Sequence, residues 1–302
     1  MLSYLAKHSA LFLLLAAIIG FLFPSLSAAV FPSLPYILFF LMLFTLAGMQ
    51  QSDVLHCLKQ PQTWTYALTH NVVITLLLVC IGKWLGINSQ LLLALAAIGA
   101  TGSLFATPAI VRSIGLNPIP SMATTIATTL LMPLVLYVCL TILQANAFHL
   151  DLIEYLKRLC LFIALPMISS VLLYRFVPKA SLQRCHKQLS QVTIILVFSF
   201  PLGLIGEYRQ VFDYQPSYAI TLMLIACILC VSFFSLLLAF YWPQGKDAAL
   251  TAAITSGNRN VLLTWTVAGP FLGSEYLALI GALQLPIYMQ PIIVKKLHAL
   301  MK

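Results

Sequence analysis

The stretch "AAITSGNRNVLLTWTVAG", Ala252–Gly269, is apolar on both flanks and interrupted at its centre by Gly257-Asn258-Arg259-Asn260. An arginine at the middle of a bilayer helix costs roughly 2.5–3.5 kcal/mol even on the most lenient insertion scales. Glycine beside polar residues breaks a helix more readily than it extends one. Unwound backbone survives in a bilayer only where protein or a water-filled cavity satisfies its polar groups. The stretch therefore predicts a membrane helix broken at mid-depth, with its charge turned into a helical bundle.

The remainder of the chain supports that setting. Of 302 residues 61% are hydrophobic and only 8% charged, and the mean hydropathy is +1.00, which excludes an ordinary soluble domain. A bilayer crossing needs about 20 mainly apolar residues. Ten such stretches occur, near Ser9–Phe23, Leu34–Gln50, Thr63–Leu85, Gln90–Ile114, Ser121–Leu143, Leu159–Val177, Gln191–Ile205, Ser217–Trp242, Asp247–Leu272 and Tyr276–Val294. The expected fold is an all-α integral membrane protein of ten transmembrane helices with no soluble domain. The first stretch, with Lys7 ahead of it and "SLSAAV" behind, has the outline of a signal peptide, but the even span count and the repeat below require it to be retained.

Basic residues set the orientation. Lys7, Lys59, Arg112, Arg175, Lys179, Arg184, Lys187, Lys246, Lys295, Lys296 and Lys302 fall on one side, against Lys83, Lys157, Arg158 and Arg209 on the other. Both termini are thus expected in the cytoplasm, with the chain in the inner (cytoplasmic) membrane of a bacterium. The net charge of +9 is spread over many loops rather than gathered in one patch, so nucleic acid is not an expected partner; protein partners are not legible. The seven cysteines lie mostly in apolar spans and imply no disulfide framework. Cys227-x-x-Cys230, in the middle of the eighth span, lacks the context of a redox or metal motif.

Four landmarks recur at nearly constant separation, in order: Pro24 and Pro178, Trp84 and Trp242, Gly102 and Gly257, Pro133 and Pro286. They divide the chain into five-helix units of about 1–146 and 147–302. Because five is odd, the second unit enters the membrane from the opposite side, an inverted repeat of the kind that builds many transporters.

In this repeat the opening stretch has a partner, "AAIGATGSLFATPAIVRSIG" (Ala96–Gly115) in the fourth span. Helices four and nine are both expected to be broken, around Thr101, Gly102 and Ser103 and around Gly257, Asn258, Arg259 and Asn260. Two breaks meeting at the midplane would present free N–H groups to an anion, and Arg259 could bind one bidentately. The other reading pairs Arg259 with carbonyls of a broken helix, or lets it snorkel toward an interface. His70 and Asn71 lie at depth in the third span, where histidine either takes a proton or bonds a carbonyl. Thr125 and Thr129 share a face of the fifth helix and either line a cavity or bond their own backbone.

The motifs "AGMQQSDVLHCLKQP" (Ala47–Pro61), "TGSLFATPAIVRSIG" (Thr101–Gly115) with "ATTIATTLLMPLVLY" (Ala123–Tyr137), and "TSGNRNVLL" (Thr255–Leu263) together resemble the bile acid:sodium symporter family over essentially the whole chain. The resemblance implies ten helices in panel and core domains, two discontinuous helices crossing in the core, and alternating access. Sodium-coupled members carry a ninth-span motif similar to Glu-x-Gly-x-Gln-Asn. With its glycine placed on Gly257, Thr255 stands at the glutamate and Arg259 at the glutamine, while Asn260 matches. The fourth-span Ser-Asn pair falls near Leu104-Phe105, with Ser103 adjacent, and the third-span glutamine falls on His70 or Asn71.

A carboxylate is thus lost and a cation gained. A fixed guanidinium would repel sodium in a low-dielectric site, leaving Thr255, Ser256, Thr125, Thr129, His70 and Asn71 as the groups that could serve a coupling sodium ion or proton. The sequence expectation is a secondary transporter of a small organic anion, bile-acid-like or another carboxylate, using no cofactor beyond a possible coupling ion, with Arg259 standing in for bound cations. Conventional sodium symport and a non-transporting sensor or partner-binding protein are the alternatives. Arsenite efflux is disfavoured because the broken segments contain no cysteine. An enzyme is not expected, since no paired carboxylates, metal cluster or nucleophile triad occurs.

Overall fold

A computed structural model describes residues 9–47, 51–143 and 151–300. The expectations that touch Lys7, Gln50, the unit boundary at 146/147 and Lys302 lie outside the described residues. Twelve helical segments follow one another: α1 (Ser9–Leu22), α2 (Pro24–Ala47), α3 (Gln51–Leu58), α4 (Pro61–Trp84), α5 (Ser89–Ala100), α6 (Thr107–Ser113), α7 (Pro118–Leu143), α8 (Leu152–Phe176), α9 (Lys179–Tyr214), α10 (Pro216–Tyr241), α11 (Lys246–Gly257) and α12 (Val261–Leu300). Among the described residues there is no β-strand, only one isolated antiparallel bridge, between Ser103 and Arg259.

Proline opens several helices, at Pro24, Pro61 and Pro216, where its missing N–H would have no helical partner. Asn88 caps α5 by accepting from Leu91 N at 2.9 Å, and Asp151 caps α8 through Ile153 N and Glu154 N. In α12 the helical course is interrupted at Gly273 (φ 72°), a left-handed conformation that glycine adopts without steric cost.

Six helices are long and apolar enough to cross a bilayer, Pro24–Ala47, Pro61–Trp84, Pro118–Leu143, Leu152–Phe176, Pro216–Gln244 and Val261–Lys296, and Leu11–Leu22 and Ser89–Ala100 are shorter apolar helices. Their outward faces carry Leu76, Leu134, Ile142, Ile228 and Val231, each more than half exposed. Such a surface is stable against lipid and not against water, and the chain has the character of a multi-pass membrane protein. Trp84 and Tyr214, 84% and 86% exposed at helix ends, suit the headgroup level.

Two of the stretches expected as single spans, 90–114 and 247–272, are each two helices separated by unwound backbone. The expected 191–205 span is the middle of the 36-residue α9, about 54 Å long at 1.5 Å per residue. Its polar first third lowers hydropathy without preventing helix, so composition alone truncates it.

The helices sort into two groups by packing. In one, α9 lies against α1 and α2, and α8 against α2; in the other, α4, α5, α6, α7, α10, α11 and α12 enclose both breaks; α9 and α1 join the groups by packing on α12.

Candidate functional site

The two breaks cross and hold each other through the backbone. Leu104 N donates to Asn258 O and Asn260 N donates to Gly102 O, both at 2.8 Å. The approach demands glycine at 102, since a Cβ there would lie 3.0 Å from the Cα and N of Thr129 on α7. At Gly257 a Cβ would overlap the Gln290 side chain of α12.

Arg259 is 2% exposed; both terminal nitrogens of its guanidinium donate to backbone oxygens, while Nε has no partner among the described residues. Nη1 donates to Gly99 O at 2.6 Å, Thr101 O at 3.0 Å and Ile98 O at 3.2 Å, and Nη2 donates to His70 O at 3.1 Å. The Phe233 ring lies beneath it, 4.0 Å from Cζ, a cation–π contact away from water. Three of these carbonyls sit at the end of α5, where a helix leaves its last C=O groups unpaired and its dipole favours a cation.

The fourth carbonyl has a different origin. Thr69–Val73 in α4 is a π-helical turn, so Ile74 N–H bonds Thr69 O five residues back. That leaves His70 O available to Arg259. Asn71, on the same turn, donates through Nδ2 to Ala100 O at 2.6 Å and to Thr128 O at 3.2 Å. The His70 ring joins Thr101 O (3.0 Å, Nε2) to Tyr66 Oη (3.3 Å, Nδ1), and Tyr66 also donates to Ala252 O at 3.0 Å. Of the two sequence readings of Arg259, the geometry displays the carbonyl pairing, and His70 likewise meets a carbonyl.

The other expected residues gather at the same place. Thr101 Oγ1 donates to Ala97 O and meets Thr264 Oγ1, each at 2.8 Å. Ser103 N donates to Thr128 Oγ1 at 3.0 Å, and Ser103 Oγ to Asn258 O at 3.3 Å. Thr255 Oγ1 donates to Thr251 O and meets Ser121 Oγ at 3.2 Å. Ser256 is fully buried. Asn258 Nδ2 donates to Ile254 O and to Gln290 Oε1, both at 2.8 Å, and Asn260 Oδ1 caps the start of α12 at Leu263 N. Thr125 and Thr129 are fully buried, and their hydroxyls have no partner among the described residues. The same is true of Asn71 Oδ1, Asn258 Oδ1, Asn260 Nδ2 and Gln290 Nε2. A concentration of unpaired buried polar atoms is costly unless a second arrangement or a ligand uses them.

Sodium does not fit where the guanidinium lies. At the guanidinium the four carbonyls already accept from Arg259 and no carboxylate is among its partners, so a second positive charge there would meet repulsion in a dry interior; the unpartnered oxygens of Thr125, Thr129, Asn71 and Asn258 are the remaining oxygen donors. No group of three or more His, Cys, Asp or Glu that could hold a metal occurs among the described residues. Beside the crossing, Leu104, Asn260, Val261, Leu262, Gln284 and Tyr288 face Phe200 and Leu204 of α9 across a crevice of about 10 Å³, space for a single water.

Sequence reasoning did not find Tyr66, Phe233, Thr264 or Gln290. Gln284 and Gln290 stand in an otherwise apolar stretch and carried a usable signal of depth. Phe233 is one of 18 phenylalanines and carried none. Compared with known proteins, the chain matches no protein-family model and no curated protein significantly.

Proposed function

We propose that this chain is a secondary transporter of a small organic anion in which Arg259 is a tethered cation, doing the structural work that a bound sodium ion does in a coupled carrier. The observation that carries the reading is the guanidinium held by four carbonyls where the two broken helices cross. A cation is needed there to hold the end of α5, and here it cannot leave. Transport then proceeds without sodium, as uniport, exchange or proton-coupled movement.

In this reading the molecule is a divergent relative of the bile acid:sodium symporters, with ten spans in two inverted five-helix units and both termini on the cytoplasmic face of a bacterial inner membrane. Supporting the repeat, Pro24 and Pro178 both stand at helix starts, Trp84 and Trp242 at helix ends, Gly102 and Gly257 at the breaks, and Pro133 and Pro286 within helices. The anion's acidic group belongs at the start of α12, where the first N–H groups of a helix attract negative charge and Asn260 and Gln284 supply further donors. Alternating access consists of the α1–α2–α8–α9 group moving against the crossing, opening the crevice that is closed here. The protein performs no covalent chemistry in this account.

The deciding experiment compares melting temperatures of the purified parent and Arg259→Gln in sodium and in potassium. Glutamine withdraws the charge and exposes the carbonyl set, so the variant is expected to melt lower and to regain part of the loss in sodium alone, while the parent is indifferent to the ion. A parent protein stabilised by sodium would overturn the proposal and restore the conventional symport mechanism, because a ligand that binds the native state raises its melting temperature.

A further inference from the structure

The long helix α9 stays helical from Lys179 to Tyr214 although it carries a proline inside, Pro201. Proline has no N–H for the carbonyl four residues back, and its ring crowds that carbonyl. Val197 O therefore lacks its helical partner, and the helix can bend at this point without breaking a hydrogen bond, which is why sharp kinks gather at prolines. The position matters because the two residues of α9 that wall the crevice, Phe200 and Leu204, stand on either side of Pro201.

Beyond the proline the helix is tied to every neighbour it has. Ser27 Oγ of α2 donates to Gly203 O at 3.0 Å, Arg209 Nη1 donates to Phe21 O of α1 at 3.0 Å, and Tyr208 Oη donates to Ala219 O of α10 at 3.1 Å. On α12, Gly281 admits the backbone of α9 itself, since a Cβ there would stand 2.8 Å from Tyr208 Cβ and 2.9 Å from Leu204 O. A single residue, Gln215, then joins α9 to α10. Before the proline, residues 179–200 form a lever about 33 Å long at 1.5 Å per residue, and Phe198 leans on Phe12 of α1 with ring centroids 6.1 Å apart.

We infer that α9 is a hinged gate: residues 202–214 stay fixed, the helix bends at Pro201, and residues 179–200 swing away from the crossing, withdrawing Phe200 and opening the crevice toward the end of the molecule where α9 begins. A bend of about 20°, the threshold of a sharp kink, moves the start of the lever by about 10 Å. The inference rests on the transport reading and sharpens it: the group that moves against the crossing divides within α9, whose later part stays on α12. Its test reads movement without any substrate, so a chain that transports no anion can still have the gate, and a transporter can lack it.

The test places pairs of p-acetylphenylalanine residues, spin-labelled through the ketone so that the seven cysteines are untouched, in the full chain in phosphatidylcholine nanodiscs, and measures distances by double electron–electron resonance. One pair replaces Ser181, at the start of α9, and Ser113, at the end of α6; the other replaces Tyr214, at the end of α9, and Gln90, at the start of α5; all four are exposed. The expected result is two distances for the first pair, up to about 10 Å apart, and one distance for the second. Pro201→Ala, which supplies the N–H that Val197 O lacks, is expected to leave the first pair with a single distance and to melt no lower than the parent. The proposal is overturned if both pairs change together, which means that α9 moves as one body, or if the first pair gives the same distribution in the parent and in Pro201→Ala. Should Pro201→Ala fail to fold, the parent alone decides: two distances at Ser181 with one at Tyr214 uphold the hinge, and any other combination overturns it.

Discussion

The break at residues 101–106 and the break at residues 258–260 exchange one backbone hydrogen bond in each direction, yet their side chains and helix ends have opposite roles. The first offers acceptors: the last carbonyls of α5 point into the crossing. The second supplies the charged donor, Arg259. The crossing is thus asymmetric: one break ends a helix in open carbonyls, and the other brings the cation that meets them. The packing differs too. Gly102 is pressed against the backbone of α7, Gly257 against a side chain of α12.

The severest way to break this pairing is to remove its charge. Arg259→Ala leaves the end of α5 without its donors and is expected to cost about 4 kcal/mol, at the large end for single substitutions, read as the greatest fall in melting temperature of any variant here. Arg259→Lys should recover only part, because an ammonium lacks the planar fork that reaches several carbonyls together. A lysine variant as stable as the parent would mean that charge alone, and not geometry, holds the crossing.

Gly102→Ala comes next, at about 2 kcal/mol, since backbone must move to admit the methyl group. Gly257→Ala should cost about half as much, because Gln290 can swing aside, and Gln290→Ala should remove most of that cost when the two are combined. A coupling energy near zero between Gly257→Ala and Gln290→Ala would contradict the packing described. A smaller effect, about 1 kcal/mol, is expected for Thr264→Val, which deletes the hydroxyl contact with Thr101 while Thr101 keeps its bond to Ala97 O. Smallest of all, Asn88→Ala, at the far end of α5, should cost about 0.5–1 kcal/mol as an ordinary lost cap, and it should be additive with Arg259→Lys; strong coupling would show that the helix transmits strain along its whole length.

Both breaks were legible because the residues that cause them are local: glycine and amides in the middle of apolar sequence. The depth of Arg259 was legible for the same reason. The identity of its partners was not, because carbonyls carry no sequence signal and any residue type can supply one. His70 shows the limit well. Its ring left proton chemistry and a bond to a carbonyl both open, and it meets Thr101 O; that its own main-chain oxygen meets the guanidinium was not legible, because the π-turn that frees this oxygen leaves no mark in "LTHNVVI". Phe233 and Tyr66 belong to α10 and α4, whose apolar sequences give no reason to single out one aromatic over another. The length of α9 escaped for a different reason, since span-finding follows hydropathy and the helix continues past it.

The π-turn of α4 also sets the helix in register. One residue more than an α-helical turn is accommodated between Thr69 and Val73, and each residue of a regular helix turns through roughly 100°. Deleting one residue there would turn everything from Ile74 to Trp84 by about that angle, carrying Thr75 off the glycine it covers at position 99 and bringing lipid-facing Leu76 inward. The extra residue therefore does two things at once. It frees an acceptor oxygen for the crossing, and it phases the second half of α4 to its lipid face, so a length change of one residue in this turn should be tolerated less well than most substitutions within it.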